Sequence, residues 1–234
     1  MPVLYAIPAP LGGSATDALP ASVIEKVRQL RDFVAENPKT ARALLASLKM
    51  PCGFAAISIA RLDEHTSPDV VPSLLAPLRA GRPLGLLSEA GCPAIADPGA
   101  SLIEAAHREG FRVAPLVGPS SIVLALMACG LEGQRFAFCG YLPREPGART
   151  RRIRELEQRS RRERETQIFI ETPYRNDALL GALLEGCAAS TRLCVASDLT
   201  LPTERIATRD ISEWRASAAT LGKHPAVFLL LARP

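Results

Sequence analysis

The sequence predicts an α/β protein of two α/β domains, 1–133 and 134–234, with a ligand cleft between them. Three observations carry this expectation. Short apolar or β-rich runs alternate with helical stretches through the first half, as a mainly parallel sheet requires. A polar cap followed by proline recurs at Asn37-Pro38, Ser67-Pro68, Asp97-Pro98 and Thr172-Pro173, each time after an apolar or β-rich stretch. Such a pair suits the N-cap and first position of a helix. The texture then changes near Leu131-Glu132-Gly133-Gln134. Beyond that point several strand candidates are interrupted by few helical stretches, which implies mixed or antiparallel pairing.

The elements follow in order. Val3–Ile7 reads as the first strand, and Pro8–Gly13 as a rigid loop. Ala21–Leu30 is helical, Asp32–Ala35 a short strand, and Asn37 caps a helix from Pro38 to Leu48. Ala55–Ile59 reads as a strand, and Ser67-Pro68-Asp69 opens a helix to about Arg79. Leu84–Leu87 has the length and bounds of a buried strand. It runs into the small-residue loop Ser88–Ala96, with Asp97 as the cap of the next helix. Arg112–Val117 is a strand whose Pro115 argues against a regular central position. Gly118-Pro119-Ser120-Ser121 leads an apolar helix ended by Gly130. In the second half, Arg135–Cys139, Thr166–Glu171, Leu193–Ala196, Thr203–Ala207 and Val227–Leu231 are strands. Gly140–Pro143 is a turn, and an Arg-rich segment, Pro173–Glu185 and Ile211–Leu221 are helices.

Composition narrows the function. With 47% hydrophobic residues the chain can build a real core. Its longest apolar run, Ala226–Ala232, is far too short to span a membrane. The start, Met1–Tyr5, lacks the basic region of a signal peptide, so a cytoplasmic location is expected. Six scattered cysteines without a C-x-x-C pattern argue for reduced thiols rather than zinc or disulfides. Gly147–Glu165 holds eight arginines and four glutamates, which matches the whole chain's net charge of +4. Concentrated arginine suits phosphate contact, although a solvated helix face with i,i+4 pairing would look the same. No dinucleotide or P-loop glycine pattern, zinc-protease motif or nucleophile elbow is present. No metal is expected. What remains is a set of small loops at strand ends: Pro8–Gly13, Ser88–Asp97, Gly118–Ser121, Phe138–Leu142 and Ala196–Ser197. Converging, they would make a pocket of main-chain groups suited to a neutral heterocycle and a compact zwitterion.

Three of these loops carry a resemblance. Ser88-Glu89-Ala90-Gly91-Cys92-Pro93 with Asp97-Pro98-Gly99, Gly118-Pro119-Ser120-Ser121, and Phe138-Cys139-Gly140-Tyr141-Leu142-Pro143 resemble the tetrapyrrole-methylase superfamily. The nearest branch is the bacterial enzymes that methylate a ribose 2′-hydroxyl of small-subunit ribosomal RNA. Ile7–Gly12, Glu36 with Ala41–Leu45, and Glu171–Arg175 resemble that branch too. The resemblance covers nearly the whole chain. It implies S-adenosylmethionine as methyl donor, RNA as acceptor and a homodimer. Carried over by position, the donor would touch Pro8 and Ala9, rest on Ser88, Ala90, Gly91, Cys92 and Pro93, and meet Ser120 and Ser121. From the second half it would meet Phe138, Tyr141, Leu142, Ala196, Pro225 and Ala226.

The chain also departs from that branch. Glu36-Asn37-Pro38-Lys39 stands where an acidic pair and arginine are usual, Glu89 where aspartate is usual, and Ser197-Asp198 where Arg-Glu is usual. The branch often carries a further small C-terminal domain, and this sequence stops at Pro234. These departures leave two alternatives: a methylase of a corrin or porphyrin precursor, or a homologue that binds S-adenosylmethionine or RNA without turnover. A hydroxyl acceptor gains from a general base. Glu36, Glu89 and His65 are the candidates, the first two because they lie at expected strand ends. Lys39, Arg42 and Arg175, with Arg151 and Arg152 of the Arg-rich stretch, are candidates for acceptor phosphates.

Overall fold

A computed structural model describes residues 2–217 and 220–233. The chain divides into two compact units, Met1–Ser120 and Ser121–Pro234.

The first unit holds a five-stranded, wholly parallel sheet. It is built from β1 (Val3–Ile7), β2 (Asp32–Ala35), β3 (Ser58–Arg61), β4 (Leu84–Leu87) and β5 (Arg112–Pro115), in the order β3-β2-β4-β1-β5. All four residues of β4 are buried, because helices cover both faces of the sheet. On one face Ile7, Phe33 and Leu87 pack with α1 (Ala15–Ala18), α2 (Ala21–Arg28) and α3 (Pro38–Ser47). On the other, Leu4, Val34, Leu84 and Leu86 pack with a 3-10 segment (Val71–Leu75), α4 (Ala76–Arg79) and α5 (Ala100–Arg108). Gly85 sits on the first face for lack of room. A Cβ there would lie 2.7 Å from both Ile7 Cδ1 and Phe33 Cδ1. Pro115 lies in the edge strand, where a missing N–H costs no ladder bond.

The second unit contains α6 (Ser121–Ala128), β6 (Phe136–Tyr141), α7 (Pro146–Glu163), β7 (Thr166–Glu171), α8 (Asn176–Gly186), β8 (Arg192–Ser197), β9 (Arg205–Asp210), α9 (Ile211–Ala216) and β10 (Ala226–Leu231). Its sheet has the order β6-β7-β10-β8-β9, with only β6 and β7 parallel. Phe169 and Phe228, both fully buried, stack with centroids 5.8 Å apart at the middle of one face. Ile153 and Leu156 of α7, Leu179 and Leu183 of α8, and Trp214 of α9 complete that core. The Arg-rich helix therefore has a dry side. Its buried Glu157 accepts from the Ala188 N–H at 2.7 Å and from the Thr191 hydroxyl, which ties α7 to the start of β8.

Several expected boundaries move. The division falls at Ser120/Ser121, ahead of the expected 133, because α6 packs on β10 and the Thr208 hydroxyl bonds the Cys129 carbonyl at 2.7 Å. The expected strand at 55–59 begins at Ser58, since Phe54–Ala56 forms a 3-10 turn. Ser67-Pro68 opens a turn, and regular α-helix waits until Ala76. Asp97 is not a helix cap: α5 starts at Ala100 after Gly99, whose φ of 131° only glycine adopts readily. The expected strand at 203–207 starts at Arg205 and runs to Asp210. Gly140 and Tyr141, expected in a turn, end β6 past an irregularity in its register with β7. The helix expected to reach Leu221 ends at Ala216, and residues 218 and 219 lie outside the described residues.

Candidate active site

In a parallel sheet all strands deliver their following loops to one edge, where ligands of open α/β sheets bind. In the first unit that edge carries Pro8–Gly13 after β1, Glu36–Pro38 after β2, and Ser88–Asp97 after β4. The β1 and β4 loops are joined by main chain. The Ala9 N–H donates to the Gly91 carbonyl at 2.8 Å, and the Gly91 N–H to the Ala9 carbonyl at 3.0 Å. Gly91 adopts a φ of 74° to make this bridge. The main-chain N–H and C=O groups of Ala9 and Gly91, in loops expected to offer main chain to a ligand, are thus spent on each other. What the pair supplies is a fixed floor.

The wall beside it is equally tight. Cys92 Sγ lies 3.5 Å from the Pro119 carbonyl. A Cβ added at Gly118 would fall 2.2 Å from Pro8 Cγ. A proline ring cannot swing aside, so Gly118→Ala must push the β1 loop out of place. Overpacking of this kind costs about 1–3 kcal/mol. A lower melting temperature together with weaker calorimetric binding of S-adenosylmethionine is the expected result. Next to this floor lies a cavity of about 410 Å³ lined by Ala9, Leu11, Gly12, Thr40, Ser88 and Ala90, among others. Its volume lies within the range for small-molecule sites.

Glu36, Glu89 and His65 come together around a neighbouring cavity of about 340 Å³, with Asn37, Arg61 and Asp63. Glu89 belongs to both cavities and accepts from the Thr40 hydroxyl at 2.7 Å. His65 is largely exposed and lies 3.6 Å from Glu64. A further acid, expected from the sequence only as a helix cap, completes the arrangement. Asp97 accepts from the buried Ser88 hydroxyl at 2.7 Å and lies close enough to Glu36 for the two carboxyls to perturb each other. Burial, and then the charges of Asp97 and Glu89, push the Glu36 carboxyl above its ordinary range. Burial raises Asp97 too, against the lowering effect of its hydrogen bonds. The two residues are 61 positions apart in sequence, so only the fold reveals the pair.

The remaining expected residues are scattered in character. Ser120 ends the first unit and Ser121 opens α6. Phe138 is half-buried and Tyr141 is 53% exposed. Leu142, Ala196 and Ala226 have buried side chains within the second unit, which leaves only their main chain for contact. Pro225 is exposed, while Pro93 is buried. Lys39, Arg42 and Arg151 are exposed, and Arg152 pairs with Glu155 at 3.1 Å. Arg175 differs from the expectation: its guanidinium is spent on Glu171, whose side chain is 1% exposed. Among the described residues no group of His, Cys, Asp or Glu could hold a metal ion.

These two sheets with their edge loops define the class. The chain has the fold of the tetrapyrrole methylases. The methyltransferase CobJ matches it with a TM-score of 0.64 at 19% identity, over 99% of this chain and 94% of that one. A uroporphyrin-III C-methyltransferase from Thermus thermophilus, solved in complex with S-adenosylhomocysteine, matches with a TM-score of 0.59 at 16% identity, over 99% and 97% of the two chains. No protein-family model matches the chain. Sequence comparison is more specific. A Mesorhizobium japonicum protein named ribosomal RNA small subunit methyltransferase I is 32% identical over 222 residues, 94% of this chain and 72% of that protein. The chain belongs to the ribosomal RNA small subunit methyltransferase I family.

Proposed function

We propose that this chain transfers a methyl group from S-adenosylmethionine to a ribose 2′-hydroxyl of small-subunit ribosomal RNA. The observation that carries the reading is the 32% identity to a named ribosomal RNA methyltransferase over nearly the whole chain. The bridged β1–β4 edge and its cavity of about 410 Å³ fit a donor of this size. Pro8, Ala9, Ser88, Ala90, Gly91, Cys92 and Pro93 would hold it from the first unit, with Ser120. When bound, the donor supplies an already activated methyl group on sulfonium sulfur.

The protein then chiefly supplies alignment, an effect that can reach about 7–11 kcal/mol. Glu36 takes the proton of the acceptor hydroxyl as its oxygen gains the methyl group. Its raised carboxyl is the better base for that, since proton affinity nearer neutral pH favours transfer. Ser88 and Asp97 position it, and Glu89 holds the charge next to it. Lys39 and Arg42, exposed on α3, are available for phosphate contact, as is Arg151 on α7.

The family resemblance adds a homodimer in the cytoplasm; sedimentation equilibrium tests the first part. No helix among the described residues is long and apolar enough to cross a membrane. The decisive experiment is transfer of an isotope-labelled methyl group to ribosomal subunits and total RNA from a strain lacking the protein. Label in small-subunit ribosomal RNA, recovered as a 2′-O-methyl nucleoside, is the expected result. Label confined to small molecules would overturn the reading.

A further inference from the structure

The second unit carries a cavity of about 550 Å³ that none of the residues above explains, apart from its neighbour Pro225. Its floor follows from strand alternation. β8 and β9 pair with Val195 opposite Ala207 and Ser197 opposite Arg205. Residues of one parity share a face, so Arg205, Ala207 and Arg209 stand with Val195 and Ser197. Ala196 and Thr208 point the other way, towards the side where Thr208 bonds the Cys129 carbonyl after α6. The cavity is therefore on the opposite face of β8 from Ala196, one of the residues assigned to the methyl donor.

β9 is the edge strand; α9 packs on this face through Trp214, against Val195 and Ala207, and leaves Arg205 and Arg209 beside it at the surface. Arg205 and Arg209 are exposed there, and neither has an ion-pair partner among the described residues. Arg209 lies over the Trp214 ring, its Cζ 5.1 Å from the centroid, and the residue remains exposed. The local acids are already engaged. Asp198 is 6% exposed, pairs with His224 Nδ1 at 2.8 Å and accepts from the Thr203 hydroxyl at 2.8 Å. Glu204 accepts the Thr200 N–H at 2.8 Å, and Asp210 pairs with Arg233 at 3.0 Å.

We propose that this shelf binds single-stranded RNA, with Arg205 and Arg209 on separate backbone phosphates and a base lying against the Arg209 guanidinium. The inference rests on the RNA reading above and adds a second place where the acceptor is held. Four residues along a strand put the two arginines about 13 Å apart at their backbones. That spacing is too wide for one free phosphate and suits a chain of them. A guanidinium lying over an indole is a surface on which an unstacked base can lie.

The test uses the full chain and a fluorescently labelled single-stranded oligoribonucleotide. Binding is measured by anisotropy over a range of salt concentrations for the parent and for Arg205→Gln/Arg209→Gln. Loss of two single-strand phosphate contacts should reduce the salt slope by about 1.4 and weaken low-salt binding, with S-adenosylmethionine binding and the circular dichroism spectrum unchanged. A parent that methylates RNA while the double variant keeps the parental affinity and slope overturns the shelf and leaves the enzymatic reading intact. A parent that neither binds nor methylates RNA overturns both. Unchanged RNA binding with lost binding of a poly-glutamate probe would assign the shelf to an acidic protein and also overturn the proposal.

Discussion

Replacing Glu36 by glutamine is expected to lower methyl transfer by about 10²–10⁴-fold, the range that a positioned general base contributes. Donor affinity, read by calorimetry, should stay close to the parent's, because glutamine keeps the shape beside Asp97. The pH profile separates a base from a passive spacer. Glu36 works as its carboxylate, and burial with Asp97 and Glu89 raises its pKa. Parental activity should therefore fall as pH drops through that raised value, and this limb should vanish in the variant. The sign for stability is opposite. A carboxyl with a raised folded pKa binds more protons folded than unfolded between the two values, so folding stability declines as pH rises through that window. Glu36→Gln removes this loss and should be more stable than the parent at neutral pH. A variant that retains full activity would remove Glu36 from the chemistry and leave Glu89 as the next candidate.

The second large effect concerns Arg175. Its Nε donates to Glu171 Oε1 at 3.0 Å and its Nη2 reaches the same oxygen, which also accepts the Thr172 N–H at 2.7 Å. The other oxygen, Oε2, is buried without a hydrogen-bond partner. Among the described residues, the carboxylate's hydrogen bonds thus converge on one atom, and Arg175 is the only cation in contact. Arg175→Ala should cost about 3–5 kcal/mol by leaving a buried charge unpaired. Thermal or denaturant unfolding reads this directly. Glu171→Gln combined with Arg175→Met, which removes both charges, should recover much of the loss. Were Arg175 instead an acceptor contact, the single variant would raise the RNA KM and leave the unfolding midpoint alone.

That residue shows where sequence reading stops. Arg175 follows Glu171 by four residues, but a strand end, a proline and a 3-10 turn separate them. No helical i,i+4 rule applies, and burial of the carboxylate depends on pairing with Ala226 of β10. By contrast β1, β2, β4 and β7 have the boundaries that their apolar runs predict. Asn37 caps α3 as expected, its side chain accepting the Lys39 N–H at 3.0 Å. The same cap-and-proline signal misled at Asp97. The aspartate is claimed by the Ser88 hydroxyl, and α5 begins after Gly99 instead.

The sequence by itself determined the two-part α/β architecture, the loops placed after its strands and the family. Those features arise from local periodicity and from short motifs, which the chain displays along its length. Only the tertiary structure decided how those residues are spent. It showed that Ala9 and Gly91 satisfy each other, that Arg175 neutralises a buried acid, and that Asp97 joins Glu36. It also brought Arg205 and Arg209 onto one open shelf beside Trp214. The physical reason is that hydrogen bonds and burial are assigned between segments far apart in the chain, and a residue's type states what it can bond but not which partner reaches it.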